Sequence, residues 1–384
     1  MSVSNKLYNQ RQISYFQGLN ALRFFAAMLV VLHHAEQIRM KYGLFHLKKF
    51  SLFNNGGIAV TFFFVLSGFL ITYLLQKEQN NTHKISVKNF YARRVLRIWP
   101  LYYLLVIIGT LIVPFAIQTI GYEYEMPYTI GEVAWYYIFF LPFMVNIIYG
   151  HNLLEPLWSI GVEEIFYLIW APLMKFLKNR VLTVIITVIC IKLIFDITIY
   201  KFELNGIIFE ALGMLQFHAM AIGGLAAYLI FNNKLNVSKT HLYSLPAQII
   251  IFAFILIRLC FTYFLVNYSF FKFLFDTPIL SNFLLILVFA WLIINTSLNP
   301  KSILKLNGKF LNFGGEISYG IYMYHMLIVF CIILIFKNFF NSINPIISTA
   351  IFYILLLVTV IGVSYLSKRF FENYFLKLKS KFEK

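Results

Sequence analysis

The chain has 384 residues, of which 60% are hydrophobic, 19% are aromatic and only 12% are charged. Soluble globular domains carry about 25% charged residues, so this composition excludes an ordinary water-soluble enzyme, and the high apolar fraction excludes a disordered chain. The net charge of +17 requires no nucleic-acid partner, because membrane proteins collect lysine and arginine in cytoplasmic loops. Continuous apolar runs of about 20 residues predict an all-α, polytopic membrane bundle in the lipid bilayer rather than a β-barrel.

Ten apolar runs are long enough to cross a bilayer. An eleventh, 133–149, is interpreted as re-entrant or interfacial, since counting it as a span would place the basic C-terminal tail outside. With the N-terminus inside, most of the 32 basic residues fall on the cytoplasmic side, and the acidic loop with Glu123, Glu125 and Glu132 falls outside. The predicted spans are 19–38, 56–76, 99–118, 158–174, 181–200, 209–231, 244–266, 277–296, 318–336 and 346–368.

This arrangement predicts one membrane domain over residues 1–384, without a fused soluble domain and with both termini in the cytoplasm; in a bacterial-type cell the membrane would be the inner (plasma) membrane. The polar N-terminal stretch leads into the first apolar run without a small-residue cleavage site, which argues against a removable signal peptide. The three cysteines, Cys190, Cys260 and Cys331, lie inside apolar runs without paired spacing. We expect them to be small core residues and expect neither disulfides nor a metal site.

The first span carries ionisable residues, which are costly inside a bilayer and therefore indicate function. Arg23 and His34 are eleven positions apart, so in a helix they share one face and are separated by about 16 Å along the axis. His33 points in another direction. The alternative for His34 is a core histidine bonded to a neighbouring carbonyl group.

Glu163 and Glu164 enter the fourth span at the same predicted depth as His34. A carboxylate bonded to one imidazole nitrogen fixes the tautomer and leaves the other nitrogen as a base near neutral pH. We therefore expect Glu163 to orient His34, so that the pair removes a proton from a hydroxyl group. The alternative is structural, because carboxylates and Ser159 are also favourable near the N-terminus of a helix.

The segment before the third span is basic. Ser86 can cap a short helix, on which Arg93, Arg94 and Arg97 gather opposite the apolar side chains. Such a helix can rest on anionic lipid, or its guanidinium groups can bind the phosphates of a cytosolic donor.

The remaining polar residues in the spans predict mainly structural roles. Lys192 and Asp196 lie four positions apart and are expected to neutralise each other. Arg258 is expected either to hold a carboxylate or phosphate or to extend to the interface. From the residues alone, His218 and His325 are interpreted as core histidines.

Five sequence blocks follow one another along almost the whole chain. They are Gly18–Arg23 ending in His34, Phe63–Phe69, Arg93–Tyr102, Leu157–Tyr167 and Ile317–His325. Together they resemble the acyltransferase type 3 family of integral-membrane O-acyltransferases, which modify lipopolysaccharide and related polysaccharides. Glu372 lies where the family has a Glu-x-Pro element. The sequence departs from the family at two places, where Tyr374 replaces the proline and Ala59-Val60-Thr61 replaces Gly-Val-Asp.

The resemblance implies transfer of an acyl group, most often acetyl, from a cytosolic acyl-CoA such as acetyl-CoA to a hydroxyl of a cell-surface carbohydrate. No metal is implied. Direct attack by the hydroxyl and a covalent acyl-histidine both stay open, as do the acceptor and the oligomeric state. The implied residues are His34, Glu163 and Arg23 for catalysis, Arg93, Arg94 and Arg97 for CoA binding, and Glu164, Trp158, Ser159, Tyr167, Tyr322 and His325 for substrate binding.

A different class of protein, a secondary transporter of an acyl group, a glycan or a small anion, also has about ten spans with buried charge. Transporters of this kind are commonly built from two related halves with broken segments in equivalent positions. The sequence has no such paired segments, so the enzyme is the preferred interpretation.

Overall fold

A computed structural model describes residues 11–119, 121 and 127–382. Within this part of the chain the secondary structure is helical, without strands, as predicted. The acidic residues Glu123 and Glu125, which support the predicted topology, lie outside the described residues, as does the chain before Arg11. The helices are α1 (Leu19–Lys41), α2 (Gly56–Thr82), α3 (Val87–Ile107), α4 (Val113–Thr119), α5 (Ile130–Ile138), α6 (Pro142–Tyr149), α7 (Trp158–Phe176), α8 (Val181–Phe202), α9 (Ile207–Met214), α10 (Phe217–Phe231), α11 (Leu245–Cys260), α12 (Thr262–Leu265), α13 (Ser269–Asp276), α14 (Pro278–Leu298), α15 (Lys309–Ser342), α16 (Pro345–Ser367) and α17 (Asn373–Lys379).

Eight helical stretches in the described ranges are long and apolar enough to cross a membrane, which confirms the all-α polytopic bundle. Two of the ten predicted spans differ from these eight. Helix α1 is continuous over 23 residues, but Arg23 and two histidines lower its hydropathy. Helix α11 has 16 residues, fewer than the roughly 20 that a span needs. The eight are Gly56–Thr82, Val87–Thr119, Leu157–Phe176, Lys178–Phe202, Ile207–Phe231, Pro278–Leu298, Lys309–Ser342 and Pro345–Lys379.

Helix α3 corrects the prediction of a separate, short basic helix before the third span. Ser86 caps it as predicted, since its Oγ accepts a hydrogen bond from the backbone N–H of Asn89 (3.3 Å). The helix then continues through Pro100 and, by the π-helical turn Ile108–Ile112, into α4. The basic face is therefore part of the transmembrane helix itself, and the packing of that helix positions its arginines.

The run 133–149 forms two short helices instead of a span. Helices α5 and α6 have nine and eight residues and are separated by a turn in which Phe140 has a φ of 59°. Each is too short to cross a bilayer alone, in agreement with the re-entrant interpretation. The Tyr128 hydroxyl ties this region to the next segment, because it donates to Asn152 Oδ1 (3.3 Å). Burial raises the pKa of Tyr128 to about 12, so the hydroxyl stays protonated.

Glycines allow the central helices to approach closely. A Cβ added at Gly68 on α2 would lie 1.8 Å from the carbonyl oxygen of Met220 on α10, and one at Gly223 would lie 2.0 Å from that of Val65. Small residues at helix crossings are typical of membrane bundles, in which close backbone contact replaces the hydrophobic driving force. The same applies to α1 and α15, where Gly315 packs on Asn20.

A buried ion pair lies in the last turns of α1. Arg39 is 1% exposed and Glu36 is fully buried, and Arg39 Nη1 lies 2.6 Å from Glu36 Oε1. The Tyr353 hydroxyl donates to the same Glu36 oxygen (2.5 Å), and Arg39 Nη2 donates to Thr349 Oγ1 (2.6 Å). The pair thereby joins α1 to α16.

The other intramembrane predictions are partly correct. Lys192 donates to Asp196 as expected, and His218 is buried with its Nε2 3.4 Å from Asn282. Arg258 Nη1 donates to Thr262 Oγ1 (3.0 Å) one helical turn away. The cysteines were wrongly assigned to the core, because Cys190 and Cys331 are exposed and Cys260 is half-buried.

Candidate active site

The candidate active site is a cavity of about 310 Å³ between α1, α2, α3, α7 and α15. It contains three guanidinium groups and a carboxylate among hydroxyl groups and apolar walls. A concave, mostly apolar pocket with a few convergent polar groups is the usual form of a small-molecule site. Its polar lining residues are Ser14, Tyr15, Asn20, Arg23, Ser67, Tyr73, Arg94, Arg97, Ser159, Glu163, Tyr167, Ser318, Tyr319 and Tyr322.

Three arginines give the cavity its positive charge. Arg23 Nη1 donates to Asn20 Oδ1 on the same helix (3.3 Å). The Arg94 guanidinium lies between the rings of Phe90 and Tyr167, 5.6 and 5.7 Å from their centroids, and its buried Nε has no hydrogen-bond partner among the described residues. Stacked, incompletely satisfied guanidinium groups are well suited to bind phosphate or carboxylate oxygens.

Arg93 does not join this cluster. It does not line the cavity. Its Nη2 forms an ion pair with Glu78 (2.8 Å), and its Nη1 donates to the carbonyl oxygen of Phe382 (2.7 Å). Arg93 therefore joins α3 to the end of α2 and to the C-terminal segment. The helical rotation of 100° per residue explains why it points away from Arg94.

Glu163 lies in the cavity but does not meet His34. Its Oε1 accepts a hydrogen bond from Ser67 Oγ (2.6 Å) and its Oε2 accepts one from the Tyr167 hydroxyl (2.9 Å). Both donors fix the position of the carboxylate. The predicted His34–Glu163 hydrogen bond is thus replaced by contacts of Glu163 with α2 and with its own helix.

Glu164 and Trp158 do not line the cavity, although the resemblance implies substrate contacts for both. Glu164 Oε2 accepts a hydrogen bond from Trp99 Nε1 (3.1 Å), and its buried Oε1 has no partner in the described ranges. The Trp158 ring packs edge-on against Phe64, with ring centroids 5.8 Å apart. Both side chains therefore pack outside the cavity lining.

The partner of His34 is His325. His34 Nδ1 lies 2.9 Å from His325 Nε2, and His325 Nδ1 lies 2.6 Å from the carbonyl oxygen of Tyr322. Both rings are buried. His325 is a buried histidine bonded to a carbonyl group, as the sequence-based interpretation expected. Its ring also makes the hydrogen bond to His34 that was expected from Glu163.

This chain of hydrogen bonds fixes the tautomers of the neutral rings. A carbonyl oxygen only accepts, so His325 Nδ1 carries the proton and His325 Nε2 is an acceptor. His34 Nδ1 must then donate to it, which leaves the lone pair on His34 Nε2. Histidine oriented in this way is a typical general base. The group that orients His34 is thus His325 and not the predicted Glu163.

Tyr322 connects the histidines to the cavity. Its hydroxyl lines the cavity, donates to the carbonyl oxygen of Pro156 (2.8 Å) and lies 2.7 Å from Ser159 Oγ. Its backbone carbonyl, one helical turn away, holds His325. The predicted residues Ser159 and Tyr322 are therefore both at the site, in contact with each other.

Ser67 and Tyr319 lie in two of the five sequence blocks, but no role was predicted for either residue. Ser67 donates to Glu163, and Tyr319 lines the cavity while its hydroxyl donates to the carbonyl oxygen of Ile98 (3.0 Å). The sequence feature that could have indicated these two residues is a hydroxyl group inside an otherwise apolar run. Within the described residues, no group of three or more histidine, cysteine, aspartate or glutamate side chains is arranged to hold a metal ion.

Residues 16–369 match a family model described as an acyltransferase domain, that of acyltransferase type 3. The chain belongs to the acyltransferase type 3 family. This membership confirms the resemblance inferred from the five sequence blocks and identifies the bundle as an integral-membrane acyltransferase domain. No solved structure matches the chain.

Three relatives of this acyltransferase domain have curated names. It is 30% identical over 165 residues to "Putative peptidoglycan O-acetyltransferase YrhL" of Bacillus subtilis (41% of this chain, 23% of the relative). It is 29% identical over 184 residues to "Peptidoglycan O-acetyltransferase OatA" of Listeria monocytogenes (44% and 26%), and 31% identical over 182 residues to "O-acetyltransferase OatA" of Staphylococcus aureus (46% and 27%). The matched regions span about a quarter of the length of these relatives.

Proposed function

We propose that this acyltransferase transfers an acetyl group from cytosolic acetyl-CoA to a hydroxyl of a cell-envelope carbohydrate. The observation that carries the proposal is the charge of the cavity, in which three guanidinium groups face a single carboxylate. A donor with several phosphate groups suits this excess of positive charge, and arginine forks bind phosphate oxygens in pairs. Of the three arginines predicted to bind CoA, Arg94 and Arg97 line the cavity. Arg23, which was predicted to be catalytic, lines it as well.

The acetyl group would then reach His34 along α1. Arg23 and His34 are separated by about 16 Å along the helix axis, a span comparable to the extended pantetheine arm of CoA. In the direct mechanism, His34 Nε2 takes the proton of the acceptor hydroxyl as its oxygen attacks the thioester carbonyl. The carbon–sulfur bond breaks, and the proton on His34 neutralises the departing thiolate. His325 is a positioning residue that keeps the lone pair on His34 Nε2.

The names of the relatives make peptidoglycan the first acceptor to test, ahead of the lipopolysaccharide that the resemblance suggested. Purified protein in nanodiscs is incubated with radiolabelled acetyl-CoA and soluble peptidoglycan glycan fragments. We expect label on the glycan that mild alkali removes as acetate, as it does from an O-acetyl ester. Turnover of acetyl-CoA without transfer to any carbohydrate would contradict the proposal.

The donor site is tested separately with Arg94→Ala and Arg97→Ala. Loss of one charge-assisted hydrogen bond costs about 1.5–3 kcal/mol, so the KM for acetyl-CoA should rise by about 10- to 100-fold. The matched control is Lys88→Ala, which removes a positive charge from an exposed position on the same helix. Equal effects in all three variants would indicate general electrostatics instead of a phosphate site.

A further inference from the structure

A second cavity, of about 360 Å³, lies at the C-terminal end of α1 and beside the middle of α15, whereas the arginine cavity lies nearer the N-terminal end of both helices. We call it the distal cavity. Its walls are the last turns of α1, the segment 151–155 before α7, Lys48 and one face of α15. Its lining residues are Gln37, Ile38, Met40, Lys41, Tyr42, Lys48, His151, Asn152, Leu153, Glu155, Met326 and Phe330.

The two histidines lie between the cavities along both helices. On α1 the order is Arg23, His34, Gln37, and on α15 it is Tyr322, His325, Met326. The rise of 1.5 Å per residue separates His34 from Gln37 by about 4.5 Å along the axis, against about 16 Å to Arg23. A reactant in the distal cavity is therefore close to the base, on the side away from the proposed donor phosphates.

We infer that the distal cavity is the binding subsite for one sugar unit of the acceptor. The inference rests on the proposed function, because it names the place from which the hydroxyl approaches His34. It also assigns Gln37 as a residue that binds and positions the acceptor, a role that follows from the cavity geometry.

The chemistry of the walls suits a carbohydrate. Gln37 Oε1 is buried and has no hydrogen-bond partner in the part of the chain that the structure describes, so it can accept a bond from a sugar hydroxyl. The rings of Tyr42 and Phe330, with centroids 6.3 Å apart, present apolar surface to the cavity. His151 Nδ1 lies 2.7 Å from Glu155 Oε2 at the wall. A mixture of aromatic surface and amide or carboxylate groups binds both the C–H face and the hydroxyls of a sugar.

One wall of the cavity is held in place by Asn152. Its Oδ1 accepts hydrogen bonds from the backbone N–H of Leu154 (2.9 Å) and from the Tyr128 hydroxyl (3.3 Å). Its Nδ2 donates to Asn146 Oδ1 (2.9 Å) and to the carbonyl oxygen of Gly150 (3.1 Å). The segment is thus preformed, which lowers the entropic cost of ordering this segment when a ligand binds.

The first test is steady-state kinetics of Gln37→Leu with a peptidoglycan tetrasaccharide as the varied acceptor. Loss of one hydrogen bond should raise the acceptor KM about tenfold, with the KM for acetyl-CoA unchanged. Gln118→Leu, at an exposed position, is the matched control. An unchanged acceptor KM, or an equal change in the KM for acetyl-CoA, overturns the inference.

The second test needs no catalysis and covers a failure of Gln37→Leu to fold. Gln37→Cys is prepared in a chain whose three native cysteines are replaced by alanine, and its labelling by a thiol reagent is followed. The tetrasaccharide should slow labelling at least fivefold, whereas acetyl-CoA should not. Absence of protection in a preparation that acetylates the tetrasaccharide removes the subsite and leaves the proposed function standing. Failure of the unaltered protein to acetylate any carbohydrate instead removes the proposed function.

Discussion

Neighbouring residues of the same type differ in function here because a helix turns 100° per residue. His34 donates through Nδ1 to His325, whereas the ring of His33 packs against Gly56, and its buried Nδ1 lacks a partner among the described residues. Glu163 faces the arginine cavity, whereas Glu164 bonds Trp99. In each pair, substitution of one residue is therefore a control for substitution of the other.

His34→Ala should lower acetyl transfer by at least about 100-fold, because a positioned general base contributes 10²–10⁴-fold. His33→Ala should retain at least half of the activity. Both rates are measured on purified protein with equal membrane yields. If transfer by His34→Ala is normal, the assignment of the base is wrong.

Glu163→Gln should lower kcat about tenfold or more, because an amide group cannot accept the hydrogen bonds from both Ser67 and Tyr167 and the arginine cavity, along which the acetyl group is proposed to pass, is thereby disturbed. Glu164→Gln should stay within twofold of the parent protein, since the amide oxygen can still accept the bond from Trp99. The measurement is kcat at saturating acetyl-CoA. A larger loss in Glu164→Gln would contradict the assignment of the two carboxylates.

At the scale of helices, specific contacts determine which faces meet. The buried Glu36–Arg39 pair joins α1 to α16, and glycines bring α2 against α10. Both features lie outside the proposed reaction, so their variants test the packing of the bundle.

Arg39→Met should destabilise the protein by about 3–5 kcal/mol, because it leaves the Glu36 carboxylate buried without its counter-ion. The double variant Glu36→Gln/Arg39→Met should recover most of the loss. The midpoint of thermal unfolding in detergent measures this, with the exposed Arg180→Met as control. A double variant no more stable than the single one would indicate that packing, and not charge, sets the cost.

Gly68→Ala should also lower the unfolding midpoint, since its Cβ would lie within 1.8 Å of a backbone oxygen on α10 and overpacking costs about 1–3 kcal/mol. Gly362→Ala on α16 is the comparison, because no atom lies within 4 Å of a Cβ there. The two variants should differ clearly in a melting curve. Equal midpoints would mean that α2 and α10 can separate at no cost.

At the scale of the whole molecule, the orientation in the membrane follows from charge. Excess lysine and arginine in short loops marks the cytoplasmic side, so we expect both termini and the loop at 301–309 to be cytoplasmic. A C-terminal green fluorescent protein should fluoresce, and alkaline phosphatase fused after Lys49 should be active. The reverse pattern in both fusions would invert the topology and place the arginine cavity outside.

The sequence alone predicted the membrane bundle, the absence of a single long spanning helix over 133–149 and several of the residues that line the arginine cavity. Composition and run length determine the class of fold, because a bilayer admits few alternatives to helices. The rise per residue determines the distance between Arg23 and His34 on one helix. Family membership, carried by motifs, then agreed with this interpretation.

Only the tertiary structure decided which residues meet. Helices α1 and α15 run parallel, with Asn20 against Gly315 and His34 against His325, so the orienting group for His34 is a histidine. Glu163, which was predicted at the depth of His34, instead lies in the arginine cavity and is bonded to Ser67 and Tyr167. Contacts between distant segments depend on side-chain packing around each helix axis, which hydropathy does not encode.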